Sequence, residues 1–282
     1  QKLQAYSMYS PVTVNAEQTI TSWLQVQQTY FNKPIWKFLR IAIPVLSFTV
    51  LLLYLADLVP VNLFNISMLL ILAFSLGIGK KITTEYGHLS KIVNELETFL
   101  YLLNTVETAS FKSPLLIGLQ KRLTENHSAS YRIRQLKRIL NRFDYRLNPL
   151  VYIPLSIFLL WDLQQIFALE SWKKSQAGQV ADWYQAIGEA EAYASLATLA
   201  FNHPGWVFPE ISSTWFELEG NGMGHPLIHE SRSVTNDFTM SGAPRFIILT
   251  GSNMAGKSTF LRTLGTNMIL SMTGAPVCAA EF

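Results

Sequence analysis

The residues best suited to chemistry in this chain lie in the loop 251–258, with the sequence GSNMAGKS. Their spacing fits G-x-x-x-x-G-K-[ST], the pattern of a loop that cradles the phosphates of a nucleoside triphosphate. Glycines allow the backbone to approach a phosphate because they carry no Cβ. Lys257 supplies a charge for the β- and γ-phosphates, and the hydroxyl of Ser258 suits Mg²⁺. The loop therefore predicts binding of a nucleoside triphosphate with Mg²⁺.

Such a loop needs a strand before it and a helix after it, because a helix N-terminus favours negative charge. Residues 246–250 (FIILT) form a short apolar run that predicts a buried strand. Residues 257–271 predict a helix, because apolar side chains recur there at helical spacing: Phe260, Leu261, Leu264, Met268 and Ile269. The predicted nucleotide-binding residues are Gly251, Ser252, Asn253, Met254, Ala255, Gly256, Lys257, Ser258 and Thr259, with Ser258 as the Mg²⁺ ligand. No catalytic residue is assigned.

The residues around this loop resemble the MutS family of DNA mismatch-repair ATPases. Residues 250–262 (TGSNMAGKSTFLR) are similar to the family's T-G-P-N-M-G-G-K-S-T-[YF]-[LI]-R. Upstream, GHPLI at 224–228 resembles R-H-P-[LV], and Asn236-Asp237 resembles the family's N-[DP] element. The helix-like stretch 189–200 with the later Pro209, and GAPVCAA at 274–280, also have counterparts in the family. The resemblance covers roughly 181–282, with its elements in the family's order.

This sequence departs from the family pattern at several places. Ser252 replaces a proline, Ala255 a glycine and Gly224 an arginine, and SRSV at 231–234 lies where the family often has an aromatic residue that stacks on adenine. No second acidic strand motif, signature loop or switch histidine follows. We expect a fragment truncated at both ends that does not hydrolyse ATP alone. The resemblance implies ATP and Mg²⁺ as cofactors, DNA as a partner and a homodimer through the ATPase domain.

The composition of the chain is unusual for a soluble domain. Charged residues make up 15% of it and apolar residues 49%, whereas about 25% of an ordinary domain is charged. The net charge of +3 is too small to predict nucleic-acid binding by itself. The single cysteine, Cys278, excludes an internal disulfide and suits a reducing compartment.

Two long uncharged runs predict a transmembrane helical hairpin. Residues 41–56 and 58–79 contain no charged side chain over 16 and 22 residues, and about 20 apolar residues suffice for a helix to cross a bilayer. Pro60, Asn62 and Asn65 predict a tight turn between them. Basic residues precede the pair (Lys33, Lys37, Arg40) and follow it (Lys80, Lys81), so we expect both outer ends to be cytoplasmic. The alternative is a buried hairpin in a soluble protein.

The helices that follow carry two apolar stripes. Leu89, Ile92, Val93, Leu96, Phe99, Leu100, Leu103 and Val106 form the first, and Ile133, Leu136, Leu140, Phe143 and Leu147 form the second. A third uncharged run, 147–161, contains two prolines; we favour a buried or membrane-surface helix there over a third span.

Four arginines repeat every four residues beside the second stripe: Arg134, Arg138, Arg142 and Arg146. Successive members drift by about 40° around a helix, so all four can face one side. We favour an ordinary solvated face. The other interpretations are contact with the phosphates of DNA or with anionic lipid headgroups.

These observations predict a mostly α-helical protein: a transmembrane hairpin, long lever-type helices, then the start of an α/β P-loop ATPase domain. The predicted segments are 1–37 (N-terminal helices), 38–80 (hairpin), 81–205 (lever region) and 206–282 (ATPase domain), with the boundary within 206–215. We expect a multi-pass protein of the cytoplasmic membrane whose ATPase domain faces the cytoplasm. Its expected function is that of a MutS-like ATPase that couples nucleotide state to DNA binding. The alternative is a membrane ATPase or a nucleotide-gated scaffold with a non-DNA partner.

Overall fold

The computed structural model describes residues 16–25, 31, 33–90, 92–125, 127–213, 217–242, 246–252 and 255–282. These residues are mostly helical, as predicted. The helices are α1 (Ala16–Gln25), α2 (Pro34–Leu55), α3 (Val61–Ser90), α4 (Val93–Thr108), α5 (Pro114–Thr124), α6 (Ala129–Phe143), α7 (Pro149–Leu159), α8 (Trp161–Gln176), α9 (Val180–Asn202) and α10 (Lys257–Met272). The strands are β1 (Glu217–Met223) and β2 (Asn236–Ser241).

The described residues divide into two compact units, one up to Ala190 and one from Glu191 onward. The core of the first unit lies where α4 packs on α6 and α6 packs on α8. The first predicted stripe lines this core: Leu89, Ile92, Leu96, Phe99, Leu103 and Val106 are buried. Ile133, Leu136 and Leu140 of the second stripe are also buried. Leu147 is not, because α6 ends at Phe143 and the chain turns away in a 3₁₀ helix, Asp144–Leu147.

Helices α2 and α3 form an antiparallel hairpin whose apolar side chains are largely exposed. Phe38, Leu52 and Leu69 keep about two thirds of their surface (66%, 65% and 67%). Within the described part of the chain, Pro34–Leu55 and Val61–Thr84 are long and apolar enough to cross a membrane, each with a mean hydropathy of 2.1. The connection is tighter than predicted: α3 already begins at Val61, so Asn62 and Asn65 are helical and only Pro60 lies in the turn.

The third uncharged run forms α7 and ends at a sharp bend into α8. Helices α7 and α8 meet at Leu160, where φ is +47° and the chain bends by 76°. If this bent pair counts as one crossing, the described residues hold three candidate spans.

A buried polar network holds this bend. Asp162 is 1% exposed and accepts hydrogen bonds from Arg146 Nε at 2.8 Å and from the hydroxyl of Tyr152 at 2.5 Å. Arg146 also donates to Thr83 Oγ1 and to the carbonyl oxygen of Gly79 on α3. A carboxylate removed from water in this way needs its charged partner nearby. The network therefore fixes the segment before α7, the first turn of α8 and α3 to one another.

In the second unit, β1 and β2 pair antiparallel, with Leu218 opposite Met240 and Gly220 opposite Phe238. The strand predicted over 246–250 is wrong: these residues form no strand, and Phe246 is 93% exposed. A strand requires a neighbour for its backbone groups. None of the described strands pairs with these residues, so the apolar run remains exposed.

Candidate functional site

The predicted nucleotide-binding loop joins this exposed segment to α10. Gly251 and Ser252 begin the loop, and Ala255 and Gly256 lie just before α10. Lys257 is the first residue of the helix. Asn253 and Met254 lie outside the described residues. Gly256 has φ +80°, a left-handed conformation in which a side chain is strained, so this position requires glycine.

Lys257 folds back over the loop that precedes it. Its ammonium nitrogen donates to the carbonyl oxygens of Gly251 at 2.7 Å and Ser252 at 2.5 Å. These hydrogen bonds connect the start of the loop to the start of α10. They place the only side-chain positive charge of the loop next to the helix N-terminus.

The N-terminus of α10 has the properties of a phosphate site. Among the described residues no side chain caps it, and the side chains of Ser258 and Thr259 in its first turn are exposed. The first backbone N–H groups of an α-helix have no partner within the helix and attract an anion. The residues present thus fit a triphosphate. The backbone amides and Lys257 suit its phosphates, and the exposed hydroxyl of Ser258 suits Mg²⁺.

Asn267 holds α10 in place, and sequence reasoning missed it. This side chain is fully buried and donates to the carbonyl oxygens of Gly224 and Thr263, both at 3.0 Å. Its Oδ1 accepts from the amide of Cys278 at 2.8 Å. The available signal was a polar residue at helical spacing from Phe260 and Leu264. Asn267 links α10 to the segments 224–228 and 274–280.

Asp237 and Gly224 allow segments of the same unit to pack closely together. Asp237 accepts from the amide of Gly222 at 2.7 Å, and Gly222 has φ +60° at the irregular step of β1. At Gly224, a Cβ atom would lie 2.9 Å from both Cys278 Sγ and Ser233 Oγ. A larger residue there would displace both side chains, so the local packing accounts for glycine at this position.

Comparison with known proteins connects this arrangement to one family. The DNA mismatch repair protein MutS of Persephonella marina is 38% identical over 99 residues, which is 34% of this chain and 11% of that protein. MutS of Paracoccus denitrificans is 38% identical over 113 residues (37% and 12%), and MSH3 of Phaeosphaeria nodorum is 37% identical over 102 residues (35% and 9%). These similarities support a MutS-related family. A comparison with protein-family models finds no match.

The chain spans only about a tenth of the length of these relatives.

The segments that resemble MutS motifs lie together in the second unit. β2 begins with Asn236, and the carbonyl oxygen of Gly224 accepts a hydrogen bond from Asn267 of α10. Val277 belongs to the unit's small core with Met223 and Ala279. The predicted motifs are therefore neighbours in space as well as in order.

Three of the four arginines form the predicted row. Arg134, Arg138 and Arg142 are exposed on α6. Arg146 is not part of the row, because α6 ends at Phe143 and the guanidinium turns inward to Asp162. The possible phosphate or lipid contact is thus reduced to three residues.

Three of the described histidines serve local roles. Nδ1 of His229 accepts from the amide of Ser231, Nδ1 of His225 accepts from the amide of Leu227, and His203 stacks on Trp206. Where the structure describes side chains, no group of three His, Cys, Asp or Glu residues is placed to hold a metal ion.

Proposed function

We propose that this chain belongs to an ATP-binding MutS-like protein, held in the cytoplasmic membrane by α2 and α3, in which nucleotide state controls binding to DNA. The observation that carries the proposal is the Lys257 ammonium bonded across the loop at the uncapped N-terminus of α10. The identity of 31–38% to MutS-family proteins over about a third of the chain supports it.

In this proposal, α10 belongs to the start of a P-loop ATPase domain. The amides of 251–259 and Lys257 would hold the phosphates, and Ser258 would hold Mg²⁺, which would supply positive charge to offset that of the phosphates. Two copies meet through this domain, as the resemblance to MutS implies. ATP acts by binding one conformational state more tightly than the other, so its γ-phosphate shifts the population toward that state.

The membrane attachment rests on the surface of α2 and α3. In water, exposed apolar surface of this extent is unfavourable by about 25 cal/mol for each Å². In a bilayer the same side chains face acyl chains, and helical hydrogen bonding satisfies their backbones. Arg40 and Lys80 lie toward the outer ends of the two candidate spans, Pro34–Leu55 and Val61–Thr84, which favours a cytoplasmic location for both outer ends of the hairpin.

We expect the membrane-bound protein to resist extraction with alkaline carbonate, because both helices bury their apolar side chains in lipid. Val45→Lys, Leu46→Lys and Leu69→Lys together place three charges on exposed positions near the middle of the two helices (58%, 53% and 67% exposed), each at a cost of about 3 kcal/mol near the bilayer centre, and should release the protein. The matched control carries lysines at Leu115, Tyr131 and Phe201, which are exposed outside the hairpin (49%, 48% and 81%). Release of the unmodified protein into the soluble fraction would favour a buried hairpin.

Binding to duplex DNA tests the proposed partner. If Arg134, Arg138 and Arg142 contact phosphates, changing all three to Gln should weaken binding equally for every sequence. The slope of log affinity against log salt should fall by about 2.7, since each phosphate contact contributes about 0.9. The control with the same charge change is Lys112→Gln, Lys121→Gln and Lys174→Gln, three exposed lysines away from this row.

The DNA experiment also separates the two functions. Duplex binding that changes with ATP supports the MutS-like function. No binding to DNA in any nucleotide state, together with ATP binding, would instead support a membrane ATPase or nucleotide-gated scaffold with another partner. If DNA binds but the triple variant behaves as the control does, the three arginines are an ordinary solvated face.

A further inference from the structure

Helix α7 is the least explained part of the first unit. Residues 147–161 contain no charge, and α7 is apolar on every side. It is also exposed: Leu150, Val151 and Ile153 keep 87%, 42% and 42% of their surface. A helix that is apolar all round is found in a protein core or in a membrane. The exposure of α7 excludes the core of this unit.

The neighbours of α7 are the two candidate spans. It packs on both α2 and α3, and the rings of Phe48 and Phe158 lie 5.2 Å apart. Each of the three helices buries one serine: Ser47, Ser75 and Ser156, at most 2% exposed. Small buried residues let helices approach closely in membranes. The apolar surface of α2 and α3 therefore continues onto α7.

The residues that flank α7 lie beside the basic ends of those spans. Before α7, Arg146 bonds to Thr83 and Gly79, next to Lys80 on α3. After α7, Gln164 exchanges two hydrogen bonds with Arg40 of α2, at 2.6 and 3.1 Å. Arg146 and Gln164 are thus on the same side of the hairpin, whereas Phe158 near the end of α7 lies against Phe48, which is further along α2 than Arg40. At 11 residues and 1.5 Å per residue, α7 is about 16 Å long, half the hydrocarbon thickness of a bilayer.

We infer that α7 is a membrane-embedded segment that enters the cytoplasmic half of the bilayer and returns without crossing, with Leu150, Val151 and Ile153 against acyl chains. The inference rests on the proposed membrane attachment of α2 and α3. The non-helical backbone at Leu160 is compatible with this location, because Leu160 is 1% exposed and irregular backbone at membrane depth must be buried in protein. The network of Asp162 closes the cytoplasmic end.

Cysteine accessibility tests the inference on the full chain in membrane vesicles. The native thiol is removed by Cys278→Ala; it is half-buried, and burial raises its pKa, so its background reaction is slow in any case. Single cysteines are then placed at Leu150 and Ile153 on α7, at Leu52 on α2, and at Leu115 on α5, where an exposed leucine faces water. A maleimide that does not cross membranes should label position 115 at least about tenfold faster than positions 150, 153 and 52. All four should label equally in denaturant.

The outcomes separate the two claims. Fast labelling at 150 and 153 with protection at 52 would overturn the inference and leave the membrane attachment standing. Fast labelling at 52 would overturn both. A fluorophore at 153, in the purified protein reconstituted into phosphatidylcholine vesicles, should be quenched by brominated acyl chains, whereas one at 115 should not. Protection at 153 in cell-derived vesicles without quenching in the reconstituted protein means that another protein covers α7, and would also overturn the inference.

Discussion

Replacing Lys257 with alanine is expected to weaken ATP binding at least about tenfold, or about 1.4 kcal/mol. Lys257 carries the only positive side chain in the loop 251–258, and its ammonium lies beside the uncapped N-terminus of α10. The triphosphate would lose its charge-assisted partner, which is stronger than a neutral hydrogen bond. Calorimetry with the purified chain, in the presence of Mg²⁺, measures the change.

Two controls make this result specific. Lys112→Ala removes an exposed lysine outside the second unit and should leave ATP affinity unchanged. Inorganic triphosphate should compete with ATP for the unmodified protein, because the loop recognises phosphates rather than the base. Equal ATP affinity for the Lys257→Ala and unmodified proteins would contradict the assignment of the loop. Lys257 also donates hydrogen bonds to the carbonyl oxygens of Gly251 and Ser252, so its removal can change the stability of the loop. Thermal unfolding of the variant must therefore be compared with that of the unmodified chain.

Periodic features of the sequence predicted the structure well. Helix α10 was expected over 257–271 and extends over Lys257–Met272, because its spacing and the preceding glycine both mark the start of a helix. Long apolar runs placed α2 and α3, and the stripe through Leu96 and Leu103 identified the main core. In each case many residues carry the same signal, so a single irregular position does not hide it.

Features set by a single tertiary contact were not predictable in this way. The strand at 246–250 was inferred from local composition, yet a strand depends on a neighbour that local sequence does not reveal. Arg146 continued the four-residue repeat of α6, but its contact with Asp162 comes from a helix 16 positions later in the sequence. Asn267 likewise acquires its role only where three segments of the second unit meet. The roles of Arg146 and Asn267 therefore became visible only with the tertiary structure.

The second large effect concerns the buried carboxylate that holds the bend between α7 and α8. Asp162→Asn is expected to destabilise the protein by about 3 kcal/mol, because it leaves the guanidinium of Arg146 without its counter-charge. This figure is at the low end for a buried pair, since the side chain of Arg146 retains 21% exposure. For a chain of this size the loss corresponds to a fall in Tm of about 6–12 °C. Thermal unfolding in a mild detergent measures it.

The matched control is another ion pair of the same unit. Lys137 and Glu97 are 3.0 Å apart, but Glu97 is 62% exposed, so Glu97→Gln should cost less than about 1 kcal/mol. A double-mutant cycle then isolates the pair: in the background Arg146→Met, the change Asp162→Asn should be much less damaging, because no unpaired guanidinium remains. Equal falls in Tm for Asp162→Asn and Glu97→Gln would contradict the role of the network. Additive effects in the cycle would show that Asp162 acts through Tyr152 alone, whose hydroxyl lies 2.5 Å from its carboxylate.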